Sequence, residues 1–162
     1  MTGPPEEIRY TRARFRTRLP RDRRYTAAHF WLLEESPGVW RVGFTRFATR
    51  MLGDIVECDF AIQPGEAVAV GQEIGSLEGF KAVTALFSVA EGEFLGPGDA
   101  LTGNITAVES DPHGRGWLYR VRGRPDPESL DVQEYIAVLD ATIDRLLETR
   151  YAAGEGGDDA EG

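Results

Sequence analysis

Residues 75–86 read GSLEGFKAVTAL, and Lys81 within them is the only lysine in the 162-residue chain; the other basic residues are all arginine. The stretch joins two apolar, strand-like segments, AVAVGQEIGSL before it and AVTALFSVAEGEF after it. Gly79 supplies the backbone freedom of a tight turn. The spacing therefore predicts a β-hairpin with Lys81 at or near its tip, held in water. A Schiff-base or general-base lysine needs burial to lower its pKa. An exposed tip suits a modifying enzyme instead. Spacing alone is equally compatible with a lysine kept by chance in an arginine-rich chain.

Working outward, short strands dominate. AHFWLLEE, SPG and VWRVGFT predict a hairpin with a Pro-Gly turn. TRFATRMLG has helical apolar spacing and ends on Gly53, the pattern of a short helix with a glycine C-cap. DIVECDF alternates, GEFLGPGDAL and DPHGRGW read as turn-rich loops, and WLYRVR reads as a last strand. Many short strands with frequent turns predict a barrel or sandwich. After Pro125 the period changes. Val132, Tyr135, Ile136, Leu139, Ile143, Leu146 and Leu147 predict an amphipathic helix over 126–150, with Asp131 and Glu134 as a capping box. The Gly-rich acidic residues 151–162 predict a disordered tail.

The first 24 residues carry a net charge of +5 and the rest −14, giving −9 in all. An acidic body argues against nucleic acid as partner. RARFRTRL alternates strictly, placing Arg12, Arg14, Arg16 and Arg18 on one face and Ala13, Phe15, Thr17 and Leu19 on the other. This predicts that the basic arm, residues 1–24, adds an extra edge strand to a domain spanning 25–125. No apolar run approaches the roughly 18 residues of a membrane span, and the N-terminus lacks a signal peptide's apolar core. One cysteine, Cys58, permits no intrachain disulfide, which fits a cytoplasmic location. With only two histidines besides, a metal site is not expected. Cys58 reads as a small core residue, His29 as a packed strand residue and His113 as a solvated loop residue.

In order along the chain, YTAAHFW (25–31), VGFT (42–45), LGDI (52–55), Glu78 with Lys81 and Ala82, and DPHGRGWL (111–118) resemble the H protein of the glycine cleavage system over about 100 residues. The resemblance implies a mainly β fold: a flattened hybrid barrel or sandwich of antiparallel sheets, of lipoyl/biotinyl type, with a short internal helix and a C-terminal helix. It implies that Lys81 receives lipoate in amide linkage and that the protein is a carrier without catalysis of its own. The swinging arm would take an aminomethyl group from the pyridoxal-phosphate-dependent glycine decarboxylase and deliver it to a tetrahydrofolate-dependent aminomethyltransferase. Dihydrolipoyl dehydrogenase would reoxidise the dithiol. A lipoate ligase or a lipoyl/octanoyl transferase would attach the cofactor, with Glu78 and Gly79 as candidate recognition residues.

The chain also departs from the pattern. H proteins usually carry Ser-His-Glu-Trp where this chain has Ala28, His29, Phe30 and Trp31, and an acidic residue where it has Ala85. Those positions are candidates for the cleft lining, and their side chains imply a hydrophobic cleft for a neutral or different cargo. The alternatives are a lipoate-binding carrier of another pathway, such as sulfur oxidation with a heterodisulfide-reductase-like complex, and an H-like scaffold that is never lipoylated. A small enzyme is the weakest reading, because no nucleophile–base pair or metal cluster is present.

Overall fold

The computed structural model describes residues 6–152. Residues 1–5 of the arm and 153–162 of the acidic tail lie outside them, while residues 151 and 152 complete the last helix.

The first strands are β1 (Glu7–Arg12) and β2 (Phe15–Pro20). Then come β3 (Arg24–Tyr25), β4 (Phe30–Ser36) and β5 (Val39–Phe44). Helix α1 (Arg46–Leu52) leads into β6 (Ile55–Phe60) and β7 (Ala67–Val68). β8 (Glu73–Gly79), β9 (Val83–Phe87) and β10 (Ala90–Pro97) follow. The single-turn helices α2 (Ala100–Gly103) and α3 (Ala107–Ser110), strand β11 (Tyr119–Pro125) and the long helix α4 (Val132–Ala152) complete the chain.

All pairings are antiparallel. The sheets have the strand orders β3-β4-β5-β11-β10-β7, β6-β8-β9 and β1-β2. The protein is mainly β, as expected, but the sheets are not closed into a barrel.

Phe30, Trp31 and Leu32 are consecutive and all buried, because the large sheet is covered on both faces. Phe30 and Leu32 meet Ile74, Leu77 and Leu86 of the small sheet in one core. Trp31 points the other way, into a second core with Phe47, Trp117, Tyr135 and Leu139. Helix α4 closes that second core with Val132, Tyr135, Leu139 and Ile143, a 3.6-residue stripe. Its first turn carries the expected capping box: Asp131 N–H donates to Glu134 Oε1 (2.9 Å) and Glu134 N–H to Asp131 Oδ1 (2.8 Å). Asp126 does not start the helix; its carboxylate instead accepts the Glu128 N–H. Leu146 and Leu147, read as part of the apolar stripe, are exposed because the helix outruns the body.

The basic arm differs from its expectation. RARFRTRL is not one edge strand. The chain reverses at Ala13, which takes a positive φ of 53°, and β1 and β2 form their own hairpin. It pairs with neither larger sheet but packs through Tyr10, Phe15 and Leu19 onto the second core. The reversal moves Arg12 to the inner face, where its guanidinium donates to both carboxylate oxygens of Asp144 (2.9 Å each) and lies 3.3 Å from Asp140.

Candidate functional site

Lys81 stands on the tip that joins β8 to β9. Gly79 N–H donates to Ala82 O at 2.8 Å and closes the turn. The tip is also hydrogen-bonded to the α1–β6 connection beneath it. Phe80 N–H donates to Asp54 O (2.7 Å) and Lys81 N–H to Leu52 O (2.8 Å). The LGDI motif is therefore the platform on which the lysine turn rests. Close approach, not turn conformation, requires Gly79: its φ is not positive, but a β-carbon there would lie 2.2 Å from Leu52 O. Gly53 does need its freedom, with φ at 79° and the Lys81 side chain against its open face. The result is a fixed backbone with the Lys81 side chain exposed, next to Phe80, which is 84% exposed.

A cavity of about 350 Å³ lies beside this lysine. Its charged walls are Arg46 and Arg50 of α1, Asp54 of the platform and Glu109 of α3. The Glu109 carboxylate accepts the Ile55 N–H, and Arg46 Nη1 donates to Glu109 O at 2.7 Å. Burial lifts the Glu109 carboxyl above the usual range; the Ile55 hydrogen bond partly offsets this, and Asp54 adds to it through a hydrogen bond and its charge. Burial, then Arg50, lowers the Arg46 pKa from its ordinary value, with Asp111 opposing.

The hydrophobic cleft expected from Ala28, His29, Phe30 and Ala85 is not what flanks Lys81: none of the four lines this cavity. Strand alternation sends Phe30 into the first core, stacked 4.5 Å from Phe44. His29, at a φ of 73°, is half-buried, and its Nδ1 is 2.8 Å from Tyr135 Oη, which is itself 2.8 Å from Thr45 Oγ1. Burial brings the His29 pKa down to about 4. Ala28 is exposed in the turn ahead of β4. Ala85 pairs with Ser76, and Ser76 with Asp59, across the outer face of the small sheet.

Glu78 is exposed on that outer face, between Glu57 and Val83. A hydrogen bond donated by the protonated Glu57 carboxyl to Asp59, and the Asp59 charge, then desolvation and Glu78, hold the Glu57 carboxyl above its usual value. His113 is not a solvated loop residue: it accepts the Arg46 N–H at Nε2 (3.2 Å). Burial, then Arg23 and Arg46, bring its pKa down to about 3 against the opposing Asp111. Cys58 is half-buried against the first core and its thiol is pushed up to about 12, chiefly by burial. Sequence reasoning missed Arg46, Arg50 and Glu109. The only signal for Glu109 was an acidic residue just ahead of the DPHG turn.

The fold and the tip together define a mainly β scaffold that displays one lysine. Among the described residues no group of three His, Cys, Asp or Glu side chains is placed to hold a metal, and no helix is long and apolar enough to cross a membrane. The glycine cleavage H-protein family model matches residues 23–140. The glycine cleavage system H protein of Beutenbergia cavernae is 38% identical over 122 residues, 74% of this chain and 95% of that protein. That of a Psychrobacter species is 36% identical over 124 residues, 75% of this chain and 98% of that protein. A crystal structure of the Mycobacterium marinum H protein has a TM-score of 0.66 at 34% identity, covering 74% of this chain and 97% of that one. This chain belongs to the glycine cleavage H-protein family. Proteins of that family are lipoate-bearing carriers rather than enzymes. The β1–β2 hairpin precedes the matched residues.

Proposed function

We propose that this protein is a lipoyl carrier with Lys81 as its attachment residue, moving the aminomethyl group of glycine cleavage between glycine decarboxylase and the aminomethyltransferase. The observation that carries the reading is the exposed Lys81 on a tip hydrogen-bonded to Leu52 O and Asp54 O. A primary amine in water suits acylation, and the adjacent cavity leaves room for a tethered chain. Lipoate supplies a redox-active disulfide; the protein supplies a rigid root for it. Tethering makes each delivery effectively intramolecular. Asp54 and Glu109 beside the lysine supply carboxylates of the kind a cationic amine needs when it leaves water, a role the sequence motifs had left empty. Arg46 and Arg50 on the same cavity favour a second reading, an anionic cargo in another lipoate-dependent pathway such as one served by a heterodisulfide-reductase-like complex. Reconstitution separates the two. The lipoylated protein, mixed with glycine decarboxylase, the aminomethyltransferase, dihydrolipoyl dehydrogenase, tetrahydrofolate and NAD+, should support glycine-dependent NADH formation, and Lys81→Arg should not. A fully lipoylated protein that supports none would favour the second reading.

A further inference from the structure

The larger cavity, about 680 Å³, lies between the β1–β2 hairpin and the loop at residues 111–116. That volume is within the range of small-molecule sites, roughly 300–1,000 Å³. One wall is the outer face of the hairpin, with Arg9, Arg16 and Arg18; Arg46 of α1 and the 111–113 segment form the other. Register places Arg9 directly opposite Arg18, with Arg16 opposite Thr11 on the same face. Like charges directly opposite one another destabilise a strand pair. Among the described residues no ion pair or hydrogen bond engages the guanidinium of Arg9, Arg16 or Arg18, although the Arg18 backbone carbonyl accepts from the His113 ring, whereas Arg12, Arg41, Arg122 and Arg124 each hold an acidic partner. Two carboxylates reach the cavity. Asp111 is taken up by the Arg115 N–H and guanidinium, and Glu7 stands exposed on the hairpin. The arginine face is also held in place. On the opposite side of the hairpin, Tyr10 Oη donates to Asp140 and Arg12 to Asp144, clamping it to α4.

We propose that this cavity binds a small phosphate-bearing anion, gripped by Arg9, Arg16 and Arg18 with Arg46 behind them. The guanidinium fork matches phosphate oxygens two at a time. Four arginines against two carboxylates, Glu7 and Asp111, leave the cavity with a surplus of positive charge. The occupant is small rather than a nucleic acid, because the −14 charge of the rest of the chain repels a long polyanion leaving the cavity. The hairpin that supplies three of its four arginines precedes the family match, while Arg46 is shared with the cavity beside Lys81.

The test is calorimetric titration of the full-length protein with pyrophosphate at low ionic strength, with citrate as the carboxylate arm. Pyrophosphate should bind saturably at one site and more tightly than citrate. Arg9→Gln with Arg18→Gln should weaken it about tenfold or more. The control pair Arg122→Gln with Arg124→Gln, whose arginines face Glu93 and Glu91, should leave binding unchanged. Without ligand, the Arg9/Arg18 variant should melt no lower than the parent, since a like-charge pair has been relieved. Absence of saturable pyrophosphate binding, equal binding by the Arg9/Arg18 variant, an equal loss in the control pair, citrate binding as tightly, or a lowered melting temperature without ligand would each overturn the proposal.

Discussion

Gly79 lies so close to the Leu52 carbonyl that a β-carbon there would sit 2.2 Å from the oxygen. The same carbonyl accepts the Lys81 N–H. One contact between β8 and the end of α1 therefore sets both the height and the orientation of the lysine turn. Gly79→Ala should destabilise the protein by about 1–3 kcal/mol through overpacking, measured by denaturant unfolding. It should also slow lipoylation, because the turn is lifted from its platform. An alanine variant with parental stability and an unchanged lipoylation rate would mean that the platform does not position Lys81.

The capping box predicts a simpler effect. Asp131→Ala removes the acceptor for the Glu134 N–H and should cost about 1 kcal/mol. The loss should appear in urea unfolding with little change in slope. A stability within error of the parent would show that tertiary packing of α4, through Tyr135 and Leu139, makes the cap redundant.

The two histidines make the fold acid-sensitive. Their folded pKa values, about 4 for His29 and about 3 for His113, lie below the unfolded value of roughly 6.5. The unfolded chain therefore binds protons first as the pH falls. The stabilisation is present above about pH 6.5 and is lost as the pH drops toward the folded values. Unfolding free energy should fall from pH 7 to pH 5, and His29→Gln should reduce that slope by about half if the two sites contribute alike. Glu57 and Glu109, raised in the fold, act in the opposite direction. The deciding comparison is therefore parent against His29→Gln: identical slopes would mean that His29 charges freely in the folded protein. Asp144, held below the usual carboxylate range by the Arg12 hydrogen bond, adds its own loss only at lower pH.

The Lys81 hairpin, the β4–β5 hairpin, the short helix ending at Gly53 and the cap of α4 were legible in the sequence because each rests on neighbours a few residues apart. The basic arm misled for a physical reason. Alternation through RARFRTRL is continuous, and the chain turns on an alanine with positive φ, with no Gly, Asn or Pro to mark it. The single-turn helices α2 and α3 were hidden in a turn-rich segment for a similar reason, being too short to show a period. The cleft was illegible because its charges come from afar. Glu109 comes to the cavity from α3, held by the Ile55 N–H, and Arg46 and Arg50 come from α1. Phe30 and Ala85 looked relevant by motif position, but strand alternation turned one inward and put the other on the far face.

The carboxylates beside Lys81 predict how cargo is held. Asp54→Asn in the lipoylated protein, charged with glycine by glycine decarboxylase, should release ammonia at least about tenfold faster than the parent, since a charge-assisted hydrogen bond contributes roughly 1.5–3 kcal/mol. Phe30→Ala should not act in this way: it should cost about 3–5 kcal/mol of stability through the core while leaving the retention of any folded protein unchanged. Equal retention by parent and Asp54→Asn would remove the carboxylate from the account of cargo binding.

Lys81 as the attachment residue is tested most directly by intact mass. The protein and its Lys81→Arg variant are each produced with a lipoylating enzyme and lipoate, then weighed whole. The parent should gain one lipoyl group, and the variant, which has no lysine left, should gain none. A parent that remains unmodified beside a lipoylated control H protein, or a variant that still gains the lipoyl mass, would contradict the assignment.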